Sequence, residues 1–213
     1  MPVPNPIAFY IGNLPIRWYG ILIACGILAA MVILFRRASY HGVMADDLLD
    51  VLLLVIPCGI VGVRLYYVLF QWKEYVDDPL QILNLRAGGL AIHGGLIAGL
   101  AAAFFMSHRK GIRFFNLLDL AAPAIALAQA IGRWGNYFNS EAHGSHTDLP
   151  WAITVMGDTV HPTFLYESLW CLMLFFILSA VDRHRRFDGQ VICLYGMLYS
   201  ADQIGRASCR ERV

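Results

Sequence analysis

The sequence predicts an all-α fold: a polytopic transmembrane bundle of about six helices. Three observations predict it. Of 213 residues, 58% are hydrophobic and only 15% are charged, where a soluble domain carries about a quarter charged residues. The deficit is concentrated in apolar runs close to the roughly 20 residues that one membrane crossing needs. Lys and Arg collect in alternate connecting loops, as in a chain that crosses a bilayer repeatedly. The mean hydropathy of +0.57 agrees.

Residues 1–15 form a Pro-rich entry segment without the basic start and small-residue cleavage site of a cleavable signal peptide. The first helix is expected over about Ile16 to Phe35. The second, opened by Asp46 and Asp47 at its positive N-terminal pole, runs from about Leu48 to Phe70. A third spans about Leu90 to Met106, a fourth Phe114 to Ile131 and a fifth Phe164 to Val181. A sixth begins near Val191 and is cut short. Internal repeats are not evident. Five cysteines, at 25, 58, 171, 193 and 209, include no C-x-x-C pair, and four lie in apolar segments. They read as buried free thiols.

Residues 204–213 read Ile-Gly-Arg-Ala-Ser-Cys-Arg-Glu-Arg-Val and end the apolar pattern abruptly with charge. One back-translation of this stretch matches, in frame, a common short-read sequencing adapter. The expectation is a single transmembrane domain over residues 1–203, followed by a non-native, adapter-derived tail. Gln203 can share adapter bases. Without the tail the formal charge of +1 becomes −1.

Orientation follows from loop charge. Arg36 and Arg37 follow the first helix, Arg109, Lys110 and Arg113 the third, and Arg183, Arg185 and Arg186 the fifth. The opposite loops hold only Lys73 and Arg86, and no Lys or Arg between Ser140 and Thr163. The N-terminus is therefore placed outside. Tyr19, His93 and Arg133, from three different helices, then fall on the outer membrane face.

The stretch Gly132-Arg133-Trp134-Gly135-Asn136-Tyr137-Phe138-Asn139-Ser140-Glu141 is the strongest chemical signal. An arginine at the end of an apolar run is commonly a snorkelling interface residue. Here two glycines beside it allow close backbone approach, and Asn136 and Asn139 add neutral donors and acceptors. Guanidinium suits bidentate binding of a phosphate diester. His93 lies in the glycine-rich run Gly88 to Leu96. A histidine there is either a hydrogen-bonded helix-contact residue or a proton acceptor near neutral pH. Gly94, Gly95 and Gly99 let a helix or a substrate chain pack close. Tyr19 belongs to an interfacial aromatic belt or bonds into the site. Arg64, inside the second helix, should face the bundle beside a carboxylate such as Glu167 and serve structure or lipid binding. His143 and His146 are a weak zinc pair without further ligands. No phosphate-binding loop, serine nucleophile elbow or H-E-x-x-H occurs, and no basic, aromatic-laced patch suits nucleic acid.

At Gly132-Arg133-x-Gly135-Asn136-x-Phe138-Asn139-x-Glu141 the chain resembles the bacterial prolipoprotein diacylglyceryl transferases. The resemblance continues in Trp18-Tyr19-Gly20, Gly62-x-Arg64, His93-Gly94-Gly95, Gly144 and His161-Pro162-Thr163-x-x-Tyr166-Glu167, and covers residues 5–202. It implies a seven-helix, inner-membrane enzyme with its N-terminus and active site on the periplasmic side. Such an enzyme moves the diacylglyceryl group of phosphatidylglycerol to the lipobox cysteine in a prolipoprotein signal peptide. It forms a thioether and releases glycerol phosphate, without metal or cofactor. It implies His93 as the base and Arg133 as stabiliser of the leaving phosphate. Asn136, Asn139, Glu141, Gly144, Tyr19 and Arg64 would bind the headgroup. The family's Tyr-x-x-x-Arg pattern is broken: Tyr199 fits the tyrosine, but Gln203 stands at the arginine position. Arg206, two turns from Tyr199, would face the same side one turn too deep. The competing class is a non-catalytic lipid-binding or lipid-transporting membrane protein, which internal repeats with broken helices would favour.

Overall fold

The computed structural model describes residues 5–76, 78–84, 88–141, 143–155 and 157–210, with side chains as far as Ile204 in the last helix. Among the described residues six α-helices carry the chain: α1 (Trp18–Ala38), α2 (Ala45–Phe70), α3 (Ile92–Arg109), α4 (Phe114–Asn139), α5 (Thr163–Asp182) and α6 (Gln190–Arg210). Four of them, α1, α2, α4 and α5, are long and apolar enough to cross a membrane. Two antiparallel hairpins, β1 (Ile7–Ile11) with β2 (Leu14–Arg17) and β3 (Ile153–Val155) with β4 (Asp158–Val160), and three short 3-10 turns join them. Arg86 and the side chain of Arg206, both weighed above, lie outside the described residues.

The chain groups into two compact units, residues 38–117 and residues 1–37 with 118–213. In the smaller unit α2 and α3 run antiparallel with their backbones almost touching. A Cβ added to Gly94 would lie 2.1 Å from the Gly62 carbonyl oxygen, and one added to Gly62 would lie 2.4 Å from Ala98 Cβ. Small residues at such crossings replace the hydrophobic drive that lipid removes. At the far end of this pair Lys110 Nζ lies 3.0 Å from Asp47 Oδ1 and also pairs with Asp50. Buried Asn116 exchanges bonds with His41, to its ring Nδ1 at 3.0 Å and its carbonyl at 2.9 Å.

In the larger unit α1 lies antiparallel to α4. Trp18 stacks on Phe138 at 5.3 Å, and a Cβ on Gly26 would lie 3.1 Å from the Ala128 carbonyl oxygen. Ala122 and Ala126 of α4, Leu174 and Leu178 of α5, and Val191 of α6 form a buried cluster. Asp119, fully buried, accepts from the amides of Gly189 (2.7 Å), Val191 (3.0 Å) and Ile192 (2.9 Å). It caps α6 from another helix, which satisfies amides that would otherwise be bare. Arg37 pairs with buried Asp182 and donates to Ser179 Oγ at 2.9 Å, so this cation belongs to the last turn of α1 rather than to a loop.

Three expectations change. The entry segment is not irregular: Asn13 and Gly12, the latter at φ +59°, turn β1 into β2, with Ile7, Phe9, Ile11 and Ile16 supplying β-branched and aromatic strand formers. α6 does not stop at the charged tail, because Ala, Arg and Cys there do not terminate a helix; its backbone stays helical to Arg210. Among the described residues Cys25, Cys58, Cys171 and Cys193 are free, but of these Cys171 alone is buried, while Cys25 and Cys193 are exposed. A thiol is apolar enough to face hydrocarbon, so an apolar segment does not imply an interior position.

Gly94→Ala is expected to lower stability by about 1–3 kcal/mol, the range for overpacking. Gly99→Ala, whose added Cβ meets nothing nearer than 3.9 Å, is expected to be neutral or slightly stabilising. Thermal unfolding of both variants in detergent checks this; equal midpoints would refute the close crossing.

Candidate functional site

The glycine–arginine stretch is helical as far as Asn139. The apolar run predicted an end at Ile131, but α4 continues to Asn139. An apolar run measures hydrocarbon thickness, whereas helix length depends on backbone bonds that polar residues also permit. The helix ends where Ser140 turns left-handed at φ 56°. There Glu141 N–H returns to the Asn136 carbonyl at 2.9 Å and Ser140 N–H to that of Tyr137 at 3.3 Å. This six-to-one closure is a Schellman-type stop.

Arg133 is met from two helices. Its Nε lies 2.7 Å from Glu167 Oε2 on α5, and its Nη2 donates to Tyr199 OH on α6 at 3.1 Å. The arginine side chain is 26% exposed and that of Glu167 only 11%. Ser168, next to Glu167, donates to the Ala130 carbonyl at 2.8 Å and accepts from Trp134 Nε1 at 3.1 Å. Tyr195 OH donates to Gln129 Oε1 at 2.8 Å and its ring stacks on Tyr199 at 5.5 Å. Asp202, one turn beyond Tyr199, lies within the electrostatic reach of Arg133.

The other face of α4 meets α1. A Cβ on Gly135 would stand 2.5 Å from the Tyr19 ring, so this position must be glycine for the ring to lie there. The Tyr19 hydroxyl has no partner among the described residues. Asn139 Nδ2 reaches Glu141 Oε1 at 3.5 Å, while Asn136 is half-buried and Glu141 exposed. Gly144 is held by its amide to the His161 carbonyl (3.0 Å), and a Cβ there would lie 2.8 Å from His161 Cβ. Residues 144–147 thus run beside β4, with His146 bridged to Val160. Tyr166 OH accepts from Trp151 Nε1 at 2.8 Å.

Arg64 and His93 belong to the smaller unit. Arg64, 4% exposed, does not pair with Glu167, whose cation is Arg133. Its three guanidinium nitrogens donate to five carbonyls of the α2–α3 connection: Gln81 (2.6 Å), Ile82 (2.8 Å), Asn84 (3.3 Å), Gly88 (2.7 Å) and Gly89 (2.9 Å). Tyr75 covers it at 5.1 Å. This geometry favours the structural of its two readings. His93 is exposed in the first turn of α3, its ring 6.2 Å from that of Tyr66.

The structure therefore gathers Tyr19, Arg133, Asn136 and Asn139 on or against the last turns of α4, with Glu141 and Gly144 immediately after. Sequence reasoning assigned Glu167 to the wrong arginine and gave Ser168 no part. The available signal was a carboxylate inside an apolar helix, which needs a cation; spacing alone does not say which one. His146, one of the weak zinc pair, remains exposed and bonds Asp158 Oδ1 through Nδ1 at 2.7 Å. Among the described residues no three His, Cys, Asp or Glu side chains group to hold a metal ion.

A family model described as prolipoprotein diacylglyceryl transferase matches residues 6–209. The chain is 46% identical over 200 residues to the phosphatidylglycerol–prolipoprotein diacylglyceryl transferase of Clostridioides difficile, covering 94% of this chain and 79% of that protein. It is 47% identical over 206 residues to that of Clostridium kluyveri (92% and 81%). Identity to that of Finegoldia magna is 45% over 194 residues (91% and 78%).

The hydrogen bond to Asp158 pushes the His146 imidazole above its ordinary 6.5. The same bond holds the Asp158 carboxyl below 3.8. The raised histidine contributes below about 6.5 and loses its contribution as pH rises through its folded value. The lowered carboxyl contributes above about 3.8 and loses its contribution as pH falls through its own. The pair should thus hold the 144–160 loop best between these limits, weakly because it is exposed. The His146 ring resonance is expected to titrate above 6.5, and at a lower pH in Asp158→Asn than in the parent, with Asp148 still beside the ring; identical midpoints would refute the pairing.

Proposed function

The chain belongs to the prolipoprotein diacylglyceryl transferase family, and on that premise we propose that it transfers diacylglyceryl from phosphatidylglycerol to the lipobox cysteine of prolipoproteins. The observation that carries the site assignment is Arg133. It is a cation at the end of a membrane-spanning helix, gripped on two nitrogens by Glu167 and Tyr199. Among the described residues nothing accepts from its Nη1. An oriented guanidinium edge of this kind suits a phosphodiester.

The chemistry needs few protein groups. His93 takes the proton of the lipobox thiol, because the thiolate is the nucleophile. The sulfur attacks the glyceryl carbon bonded to the phosphate oxygen. A C–S bond forms, the C–O bond breaks, and the electron pair leaves with glycerol phosphate. Arg133 offsets the negative charge growing on that phosphate. Asn136, Asn139, Glu141 and Gly144 shape the headgroup pocket, Tyr19 offers its hydroxyl, and Arg64 orders the α2–α3 connection. Loop charge supports a site on the outer face of the bacterial inner membrane, with the N-terminus outside. Residues 204–213 are carried as a non-native tail on the transmembrane domain.

The test is transfer from phosphatidylglycerol to a lipobox peptide in liposomes. It compares the 213-residue chain with one whose C-terminus is read from genomic DNA. Arg133→Ala is expected to lower kcat by about 10²–10³-fold, the loss of one oriented charge donor, and His93→Ala by about 10²–10⁴-fold, the loss of a general base. A folded, phosphatidylglycerol-binding chain with no transfer would favour the lipid-binding reading.

A further inference from the structure

Among the described residues Glu167 is the acidic side chain whose carboxylate pairs with the Arg133 guanidinium, its Oε2 2.7 Å from Nε. Its carboxylate sits in the first turns of α5, inside a membrane-spanning segment, and its side chain is nearly buried. A carboxylate there is costly unless paired. It takes Nε, while Tyr199 takes Nη2 from another helix. Two fixed contacts on one side of a planar, rigid group define where its remaining edge points. A third consequence is electrostatic. The carboxylate already balances the arginine's charge, so an anion arriving at Nη1 meets a pair rather than a bare cation.

Resting on the reading of Arg133 as the phosphate group's partner, we propose that Glu167 is a positioning residue that orients Arg133 and keeps its hold on the departing glycerol phosphate weak enough for release. Orientation acts on the transition state, where the angle of the donor matters most. Counter-charge acts on the product, a free phosphate monoester that carries more charge than the diester it came from. The two effects separate by substitution. Glutamine keeps an oxygen of the same reach beside Nε but removes the charge; alanine removes both.

The experiment measures kcat and the inhibition constant of added glycerol 1-phosphate, in liposomes, for the full chain and its Glu167→Ala, Glu167→Gln and Ser168→Ala variants. In Glu167→Ala, kcat is expected to fall about 10²-fold, the cost of misplacing a catalytic contact. Its inhibition constant should also fall, by about tenfold, as an unbalanced cation grips anions more tightly. Glu167→Gln should recover kcat to within about tenfold of the parent, since a polar side chain of the same length still packs beside Nε, yet keep the tight inhibition. Ser168→Ala removes bonds between the same two helices without touching Arg133, and should leave the inhibition constant unchanged. Unchanged kcat in Glu167→Ala, inhibition that weakens or stays constant in both Glu167 variants, or the same pattern in Ser168→Ala would overturn the inference. If the parent chain neither transfers nor is inhibited by glycerol 1-phosphate, the reading of the site fails first and the inference with it.

Discussion

A guanidinium at the hydrocarbon edge of a helix bundle must be met by partners, and meeting Arg133 organises the larger unit. The desolvation of an unpaired charge costs several kcal/mol even after relaxation, more than most single contacts contribute. Glu167 and Tyr199 answer that demand at 2.7 Å and 3.1 Å, which draws α5 and α6 onto the same end of α4. Neutral bonds follow the same path, Ser168 to Ala130 and Tyr195 to Gln129. At the opposite end, Asp119 of α4 caps α6 directly. The start and the middle turns of α6 are thus both set by α4, and the position of Tyr199 relative to Arg133 follows from it.

Arg64 shows what the same chemistry looks like when every guanidinium nitrogen is committed to the protein's own backbone. All three of its nitrogens are engaged, by five carbonyls of a connection that would otherwise carry bare acceptors. Gly88 and Gly89, at φ +86° and +69°, bend the chain so that their carbonyls reach it. A Cβ on Gly89 would lie 2.7 Å from Arg64 Nη1, so the glycine is required by the arginine's position. Arg133 differs in one respect, the Nη1 that no described residue engages. Two arginines of similar sequence setting are thereby told apart by which nitrogens are already committed.

Much of this was readable before any coordinates. The order and number of helices followed from apolar runs, and one polar, glycine-flanked stretch pointed to the candidate site. What escaped was of three physical kinds. The β1–β2 hairpin was hidden because Pro15 and the scarcity of charge made the segment look irregular, although its Gly12-Asn13 turn was in view. The extension of α4 past Ile131 was hidden because hydropathy reports the solvent a helix crosses, not where its backbone bonds stop. The identity of each buried ion pair was hidden because two arginines and one glutamate in separate helices leave the pairing to packing. Asp119 and Asp182 likewise gave no hint in sequence that one would cap a helix and the other would meet Arg37.

The last turns of α4 put fold and chemistry on different faces of one helix. Ala128, Gly132 and Gly135 fall at spacings of four and three, one face of a helix, and that face carries almost no side chain where α1 approaches. Gln129, Ala130, Arg133 and Trp134 fall on the face toward α5 and α6. Removing bulk on the first face fixes how closely α1 packs, and with it the place of Tyr19. Concentrating hydrogen-bonding groups on the second fixes the guanidinium. The left-handed Ser140 then ends the helix and sends Glu141 back over Asn136. The polar residues of the signature are therefore held by a closed helix end rather than by a loose loop. Geometry of that kind suits a headgroup whose phosphate must be gripped at one angle while its acyl chains stay in the membrane.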